Sequence, residues 1–186
     1  MATAAAAKRL LTAEEYGRLP DDGRITELVR GEVVEMPMPY PRHGEMCAQI
    51  AYLIRRFLED HPIGRVVSND SGVITERSPD TVRGADVAYY SFTRVPPGPM
   101  PRNQYLTVVP ELVFEVRSPT DRWRAVLDKV NEYLKAGVDV VCVVDDPAEQ
   151  VRVFDDDGIH PLNREDVLEF PKLLPGFSVP VRRLFE

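Results

Sequence analysis

One stretch of the chain, a strand-like run followed by helix signals and a second strand-like run, limits its possible folds more than any other. Residues 111–117 are almost continuously apolar, which is typical of a strand buried on both faces. Ser118 and Pro119 then suit the N-cap and first position of a helix, which Gly137 ends. The apolar run 138–144 follows at once. This order predicts a βαβ unit with parallel outer strands.

The rest of the chain supplies shorter elements on both sides of that unit. Thr12 and Glu15 form a capping box, which marks the start of a helix. The spacing and turn residues predict a helix over 13–19, a hairpin turning at Arg30-Gly31, a helix over 43–60, β runs over 64–68, 72–75 and 85–90, a proline-rich connection over 91–109, and β runs over 150–154, 167–170 and 178–185. We therefore predict a disordered tail over 1–11 and a single α/β domain over 12–186, with a mixed sheet between helices, an N-terminal β-hairpin and a C-terminal β extension.

Composition narrows the class of protein. No window approaches eighteen consecutive apolar residues, and the start of the chain does not have the pattern of a targeting peptide, so we expect a cytoplasmic protein without a membrane span. Cys47 and Cys142 lie outside any spacing typical of zinc ligands, and we expect reduced thiols. The net charge of −7 argues against a protein that binds polyanions over its whole surface. It does not exclude a nucleic-acid enzyme whose carboxylates hold a metal.

Two acidic residues interrupt apolar β runs. Asp86 lies in the run 85–90 and Glu115 in the run 111–117, where an unpaired charge is costly. Two carboxylates on neighbouring strands can hold Mg²⁺ together with water and a substrate phosphate. The alternative is pairing with a nearby arginine, and Arg117, on the same strand face as Glu115, is the natural partner.

Four further residues are candidates for the same site. Lys129 lies at the border of the apolar stripe of the helix after Glu115, so its ammonium can reach the end of the sheet; a snorkelling lysine is the alternative. Glu27 shares the apolar face of the predicted hairpin, and the alternative for it is a structural salt bridge to an arginine. His43, next to Arg42 near a helix start, suits contact with a phosphate, although a histidine in this position is more often part of the core.

These residues carry a family resemblance. Asp86 followed by Glu115-Val116-Arg117 resembles the PD-(D/E)XK nuclease superfamily. More closely, the chain resembles the Uma-two family of restriction-endonuclease-like proteins over roughly residues 12–185. The segments that carry this resemblance are Glu27-Leu28-Val29-Arg30-Gly31-Glu32, Pro41-Arg42-His43, Ala85-Asp86-Val87, Pro110-Glu111-Leu112-Val113-Phe114-Glu115-Val116-Arg117-Ser118-Pro119, and Lys129 with Tyr133, Gly137-Val138 and Asp145.

The resemblance implies a restriction-endonuclease-like fold and a metal-dependent phosphodiesterase site. Asp86 and Glu115 are the implied metal ligands, and Glu27 is a further acid. Arg117 stands where the superfamily has its lysine, and Ala85 where proline is usual, so Lys129 is the implied counterpart of that lysine. These two differences from the superfamily pattern concern catalytic activity, and they do not alter the expected fold.

We therefore expect Mg²⁺- or Mn²⁺-dependent hydrolysis of nucleic acid, with DNA as the substrate and a homodimer as the default assembly. Asp86 and Glu115 hold the metal, Lys129 stabilises the nucleophile or the developing charge, and Glu27 completes the acidic cluster. The substrate-binding candidates are Arg42, His43 and Arg117. The alternative is a non-catalytic module with the nuclease fold that binds nucleic acid or protein without metal, which the arginine at position 117 and the acidic pI favour.

Overall fold

A computed structural model describes residues 9–186 of the chain. Its helices are α1 (Ala13–Tyr16), α2 (Pro41–Asp60) and α3 (Trp123–Ala136), and its strands are β1 (Thr26–Val29), β2 (Glu32–Glu35), β3 (Gly64–Glu76), β4 (Thr81–Ser91), β5 (Leu112–Arg117), β6 (Val140–Asp145), β7 (Gln150–Asp155), β8 (Gly158–Leu162), β9 (Val167–Phe170) and β10 (Leu174–Pro180). Short 3₁₀ turns follow β6 and β10, over Asp146–Ala148 and Val181–Leu184.

Eight strands form one mixed sheet in the order β2-β1-β4-β5-β6-β7-β8, with β3 paired to the other edge of β4. Strands β5 and β6 are parallel, with Glu115 opposite Val143, and α3 connects them. The other strand pairs of this sheet are antiparallel. The predicted βαβ unit and mixed α/β architecture are therefore confirmed.

Helices cover both faces of the sheet. Helix α2 places Met46, Ile50 and Ile54 in a core shared with the small β9–β10 sheet. On the other face, α3 packs Val126, Val130 and Tyr133 against the strands. The sheet is thus buried on both sides in its centre, which explains the continuous apolar run of β5.

Several local predictions need correction. Helix α3 begins at Trp123, with Arg122 as N-cap and without a side-chain cap, because the Asp121 carboxylate accepts a 2.8 Å bond from the Ser118 amide and closes a turn before the helix. The helical spacing of apolar residues also predicts that Leu127 is buried together with Val126 and Val130, but Leu127 is exposed. The buried face of the helix consists of Val126, Val130 and Tyr133.

The β predictions need correction at three places. The two runs predicted over 64–68 and 72–75 form one strand, β3, which is interrupted by a bulge between Ser68 and Ser71. Residues 158–162 form a strand after a tight acidic turn. The run over 178–185 divides into the end of β10 and a 3₁₀ turn.

The start of the chain was predicted to be a disordered tail over 1–11. Its first eight residues lie outside the described part of the structure. Leu11 donates its amide to Gly31 O at 2.8 Å and packs beside Leu28. Among the described residues no helix is long and apolar enough to cross a membrane.

Candidate active site

The candidate site lies where two strands diverge from one edge of β4. Strand β1 pairs with that edge at Val82, whereas β5 pairs with it from Val87 onward. The residues between these pairs, 83–86, therefore have no strand partner on that side. The gap exposes Asp86 to a cavity and lets side chains from β1, β5 and α3 converge on it.

Asp86 is buried and both of its oxygens are engaged. Oδ1 lies 3.2 Å from His43 Nε2, and Oδ2 accepts a 2.6 Å hydrogen bond from the Val116 amide. The hydrogen bond to Asp86 raises the pKa of His43 to about 11, with a smaller contribution from the neighbouring Cys47 and with burial opposing it. The imidazole is therefore a cation at neutral pH, and its charge is opposite to that of the Asp86 carboxylate.

A fourth acid reaches this centre from a β-bulge. Asn69 and Asp70 are the residues inserted between Ser68 and Ser71, opposite Asp86, and both have left-handed backbone angles, with φ of 70° and 51°. Burial and the Asp86 carboxylate raise the pKa of Asp70. Bulges of this kind re-aim side chains beside functional sites.

Glu115 lies at the bottom of the site, with 7% of its surface exposed. Its Oε1 accepts a 2.8 Å bond from the Tyr133 hydroxyl, and its Oε2 accepts a 2.9 Å bond from Lys129 Nζ. Burial raises the pKa of Glu115 to about 7, against the lowering effect of Lys129. A carboxylate in this position is short of compensating positive charge.

Lys129 is the cation at the centre of the cluster. Besides Glu115, its Nζ contacts Glu27 Oε1 at 3.3 Å and the Gly84 carbonyl at 3.5 Å. Burial favours the neutral amine, but the three carboxylates Glu115, Glu27 and Asp86 outweigh it and raise the pKa of Lys129. The side chain is therefore an ammonium, which suits it to stabilise negative charge and not to act as a general base.

Glu27 belongs to the cluster through β1. It accepts a 2.8 Å bond from Arg83 and a 3.1 Å bond from the Gly84 amide. Arg83 also forms a two-point ion pair with Glu132 of α3, at 2.6 and 2.8 Å. Glu27 is therefore salt-bridged to an arginine, as the structural alternative expects, and its contact with Lys129 brings it into the candidate cluster.

The two arginine candidates flank this centre and have partners of their own. Arg117 donates to Asp145 Oδ1 at 2.7 Å and lies over the Trp123 ring. Its suggested role as the charge partner of Glu115 is wrong, since Lys129 occupies that position. Arg42 pairs with Glu45 and Asp146 and also donates to the Phe185 carbonyl at 2.7 Å, which ties α2 to the end of the chain.

Two adjoining cavities open onto the cluster. A cavity of about 220 Å³ is lined by His43, Asp70 and Asp86, and one of about 660 Å³ by Arg30, Arg117 and other residues, with Glu27, Glu115 and Lys129 common to both. Acids therefore lie at the junction of the cavities, and the larger cavity is lined by guanidinium groups together with further acids, Asp121, Asp128 and Glu132. This distribution suits a metal ion at the junction.

Sequence reasoning missed Asp70 and gave no role to Tyr133. The pair Asn69-Asp70 between two β runs was the available signal for Asp70, because these residue types accept left-handed angles. The hydroxyl of Tyr133 binds Glu115 because α3 places the ring directly above β5. Tyr133 is among the residues that carry the family resemblance, but its contact with Glu115 depends on how the helix packs and could not be predicted from the sequence.

The donor set fits a hard divalent cation. Asp86 and Glu115 offer carboxylate oxygens from adjacent strands, and Mg²⁺ prefers such ligands with water completing its shell. The raised pKa values of Glu115 and Asp70 indicate that nearby positive charge would stabilise their ionised forms. Asp86 and Glu115 are the residues that would hold the ion.

Comparison with known proteins identifies relatives of the chain. The model of the Uma2 family, described as "Putative restriction endonuclease", matches residues 13–182. A crystal structure of a putative nuclease belonging to DUF820, from Anabaena variabilis, superposes with a TM-score of 0.80 at 18% identity, over 94% of this chain and 97% of that one. No curated protein matches the sequence. The likeness to the solved structure supports the fold.

Proposed function

Because the chain belongs to the Uma2 family of restriction-endonuclease-like proteins, we propose that it is a metal-dependent nuclease whose centre consists of Asp86, Glu115 and Lys129, with Glu27 as a further acid. The observation that carries this proposal is the convergence on one gap in the sheet. Two buried carboxylates from β4 and β5 meet an ammonium from α3, which is bonded to one of them at 2.9 Å.

Mg²⁺ or Mn²⁺ bound by Asp86 and Glu115 would supply Lewis-acid polarisation of a phosphodiester and activation of a water molecule. The protein itself contributes by holding the two carboxylates in position. Val116 fixes Asp86 through its amide, and Tyr133 fixes Glu115 through its hydroxyl, so both carboxylates are held in one orientation before any ligand arrives.

Lys129 supplies fixed positive charge next to the position of the reacting phosphate. Its ammonium is held by Glu115, Glu27 and the Gly84 carbonyl, so its position does not depend on substrate. A preorganised cation of this kind stabilises charge that develops in the transition state. The arrangement explains how a lysine on the helix can take the role of the lysine that the superfamily carries at the position of Arg117.

The substrate we propose is nucleic acid, and specifically DNA, in agreement with the family description. Arg30 and Arg117 line the larger cavity beside the acidic centre. His43 lines the smaller cavity, and it lines a third cavity together with Arg42 and Arg117. These cations give local attraction for phosphates on a chain whose net charge is −7. We propose that Arg42, His43 and Arg117 contact the backbone on either side of the cleaved bond, and that two copies pair to cut both strands.

The test is a cleavage assay with supercoiled plasmid, single-stranded DNA and RNA in Mg²⁺, Mn²⁺ or EDTA. The variants are Glu115→Gln and Lys129→Met, and the matched controls are Glu59→Gln and Lys172→Met, exposed residues that line neither cavity. We expect metal-dependent cleavage of DNA that the first two variants lose and both controls retain.

The same assay decides against the proposal if the folded protein cuts none of the three substrates, or if Glu115→Gln and Lys129→Met cut as well as the parent. Binding of DNA without metal, unaffected by Lys129→Met, would instead identify a nuclease-fold binding module. Sedimentation of the protein with and without DNA tests the homodimer separately.

A further inference from the structure

A second set of possible metal ligands lies on the side of Asp86 that faces α2. One ring nitrogen of His43, the Cys47 sulfur and an Asp86 oxygen lie within 4.8 Å of one another. His43 and Cys47 are four residues apart on α2 and therefore project from the same face of the helix. The two side chains reach Asp86 on β4 because α2 packs directly on the sheet.

The spacing of these atoms suits a small tetrahedral ion. With bonds of about 2.0–2.3 Å, neighbouring ligand atoms in a tetrahedral site lie about 3.3–3.7 Å apart. His43 Nε2 and Asp86 Oδ1 are 3.2 Å apart, so the pair already has nearly the required separation. The full set lies within 4.8 Å, so coordination of all three groups requires the side chains to draw together by up to about 1 Å.

Coordination through Nε2 leaves the other ring nitrogen of His43 to carry the proton. That nitrogen, Nδ1, is buried and has no hydrogen-bond partner in the described part of the chain. Neutral imidazole is the form that binds a metal, so the ion would replace the Nε2 proton and leave Nδ1 protonated.

The chemistry of the three groups differs from that of the Mg²⁺ centre. Imidazole and thiolate are ligands for Zn²⁺ and related ions, whereas Mg²⁺ requires oxygen. Three protein ligands with a fourth position open to water is the pattern of an accessible zinc site. His43 and Asp86 line the smaller cavity, so an ion has a route from solvent and a water has room beside it.

We propose that His43, Cys47 and Asp86 form a binding site for a thiophilic divalent cation, with Zn²⁺ as the preferred ion. On binding, the metal forms coordinate bonds to the imidazole nitrogen, the sulfur and the carboxylate, and the proton of the Cys47 thiol and one imidazole proton pass to solvent. Glu115 and Lys129 take no part in this site. Metal binding here can be measured without nuclease activity, although Asp86 is common to both ligand sets and His43 is also a proposed substrate contact.

Co²⁺ is the probe of choice, because a Co²⁺–thiolate bond produces a charge-transfer absorption band in the near ultraviolet that oxygen and nitrogen ligands do not. Titration of the reduced, metal-free protein with Co²⁺ should produce this band at one equivalent. Zn²⁺ should abolish it, and a large excess of Mg²⁺ should leave it in place.

Three variants test whether the absorption band arises from this site or from neighbouring groups. Cys47→Ser should remove the band, whereas Cys142→Ala, which deletes the other thiol of the chain, should retain it. Glu115→Gln should also retain the band while affecting cleavage, so failure of the nuclease proposal and failure of this one give different results.

Zn²⁺ affinity, measured by competition with a chromophoric chelator, checks the result without relying on absorption. Loss of a direct ligand in Cys47→Ser or Asp86→Asn should weaken Zn²⁺ binding at least ~10–100-fold, since even groups that only orient a ligand contribute that much. The proposal is overturned if Co²⁺ gives no thiolate band with the folded parent, if the band survives in Cys47→Ser, or if the two variants bind Zn²⁺ as tightly as the parent.

Discussion

The ammonium of Lys129 lies 2.9 Å from the Glu115 carboxylate, although the two residues are fourteen positions apart on different elements. The separation corresponds to the passage from β5 through a turn into the packed helix α3. The βαβ crossover returns the helix over the strand that precedes it. A lysine on this helix therefore reaches a position next to the strand carboxylate without being part of the strand motif.

Two substitutions of Lys129 should show whether cleavage depends on the positive charge of this side chain or on its shape. Lys129→Met should lower the cleavage rate at least ~100-fold, because a preorganised cation at the reacting phosphate is lost. Lys129→Arg keeps the charge but changes the geometry, and it should retain more activity than Lys129→Met. Single-turnover cleavage, at substrate concentrations that saturate binding, measures the effect; equal rates for the two variants would contradict a role for the charge.

The Asp70 carboxylate should destabilise the folded protein when no metal is bound. Its carboxylate lies beside Asp86 in a bulge, and Asn accepts the left-handed backbone angle at this position. Asp70→Asn should therefore raise the melting temperature in EDTA and reduce the further increase produced by Mg²⁺. Asp128→Asn, an exposed acid, is the control and should change neither value. A lower melting temperature of Asp70→Asn in EDTA would show that the Asp70 carboxylate stabilises the fold despite its repulsion by Asp86.

Arg83 should be a strong determinant of stability. It lies between two acids, Glu27 and Glu132, and only 13% of its side chain is exposed. Arg83→Met leaves the buried Glu27 carboxylate with Lys129 as its remaining cation and should cost up to about 3–5 kcal/mol in the free energy of unfolding. Arg56→Met, which removes an exposed ion pair with Glu59, should cost less than about 1 kcal/mol.

Urea denaturation measures the effect of Arg83→Met, and a double variant tests its cause. If the penalty arises from the unpaired carboxylate, Arg83→Met combined with Glu27→Gln should be more stable than Arg83→Met alone. A double variant with the summed cost of the two single variants would point to lost packing instead.

Asp80 should contribute stability that depends on pH. Its carboxylate accepts bonds from the Ala13 and Ser78 amides and from Arg77. Burial opposes ionisation, but these three bonds outweigh it and lower the pKa of Asp80. A carboxyl with a lowered folded-state pKa stabilises the protein above its unfolded-state pKa, and this contribution is lost as the pH falls through the folded-state value.

Asp80→Asn should therefore destabilise the protein by about 2–3 kcal/mol at about pH 7, since hydrogen bonds to a charged group are lost. The difference from the parent should shrink between about pH 5 and about pH 2. Urea denaturation at several pH values measures it. A difference that stays constant over this range would exclude ionisation of Asp80 as its source.

Replacement of Gly64 and of Gly44 by alanine should change the stability of the protein in opposite directions. A Cβ at Gly64 would lie 2.5 Å from the Tyr90 carbonyl oxygen and would also meet the Tyr89 ring, whereas a Cβ at Gly44 meets nothing within 4 Å. Gly64→Ala should destabilise the protein by about 2–3 kcal/mol through overpacking. Gly44→Ala, in helix α2, should stabilise it by about 0.5–1 kcal/mol. Thermal melts of both proteins check the signs.

The sequence alone determined the elements whose signals are local. Thr12 and Glu15 indicated a capping box that the structure contains. The apolar run before Ser118 and the glycine at 137 indicated a strand, a helix and a parallel strand, because burial on both faces and a left-handed C-cap leave marks within a few residues. Asp86 and Glu115 could also be singled out as acids in apolar runs, since a buried charge requires a partner.

Only the tertiary structure decided which partner each of these groups has. Arg117 was the nearest cation to Glu115 in sequence, yet it pairs with Asp145 on β6, and Lys129 and Tyr133 on α3 bind Glu115 instead. Asp70 reaches Asp86 because a bulge re-aims it. These contacts depend on where a helix packs over a sheet and where two strands separate, and such distances between remote segments are set by the packing of the whole core.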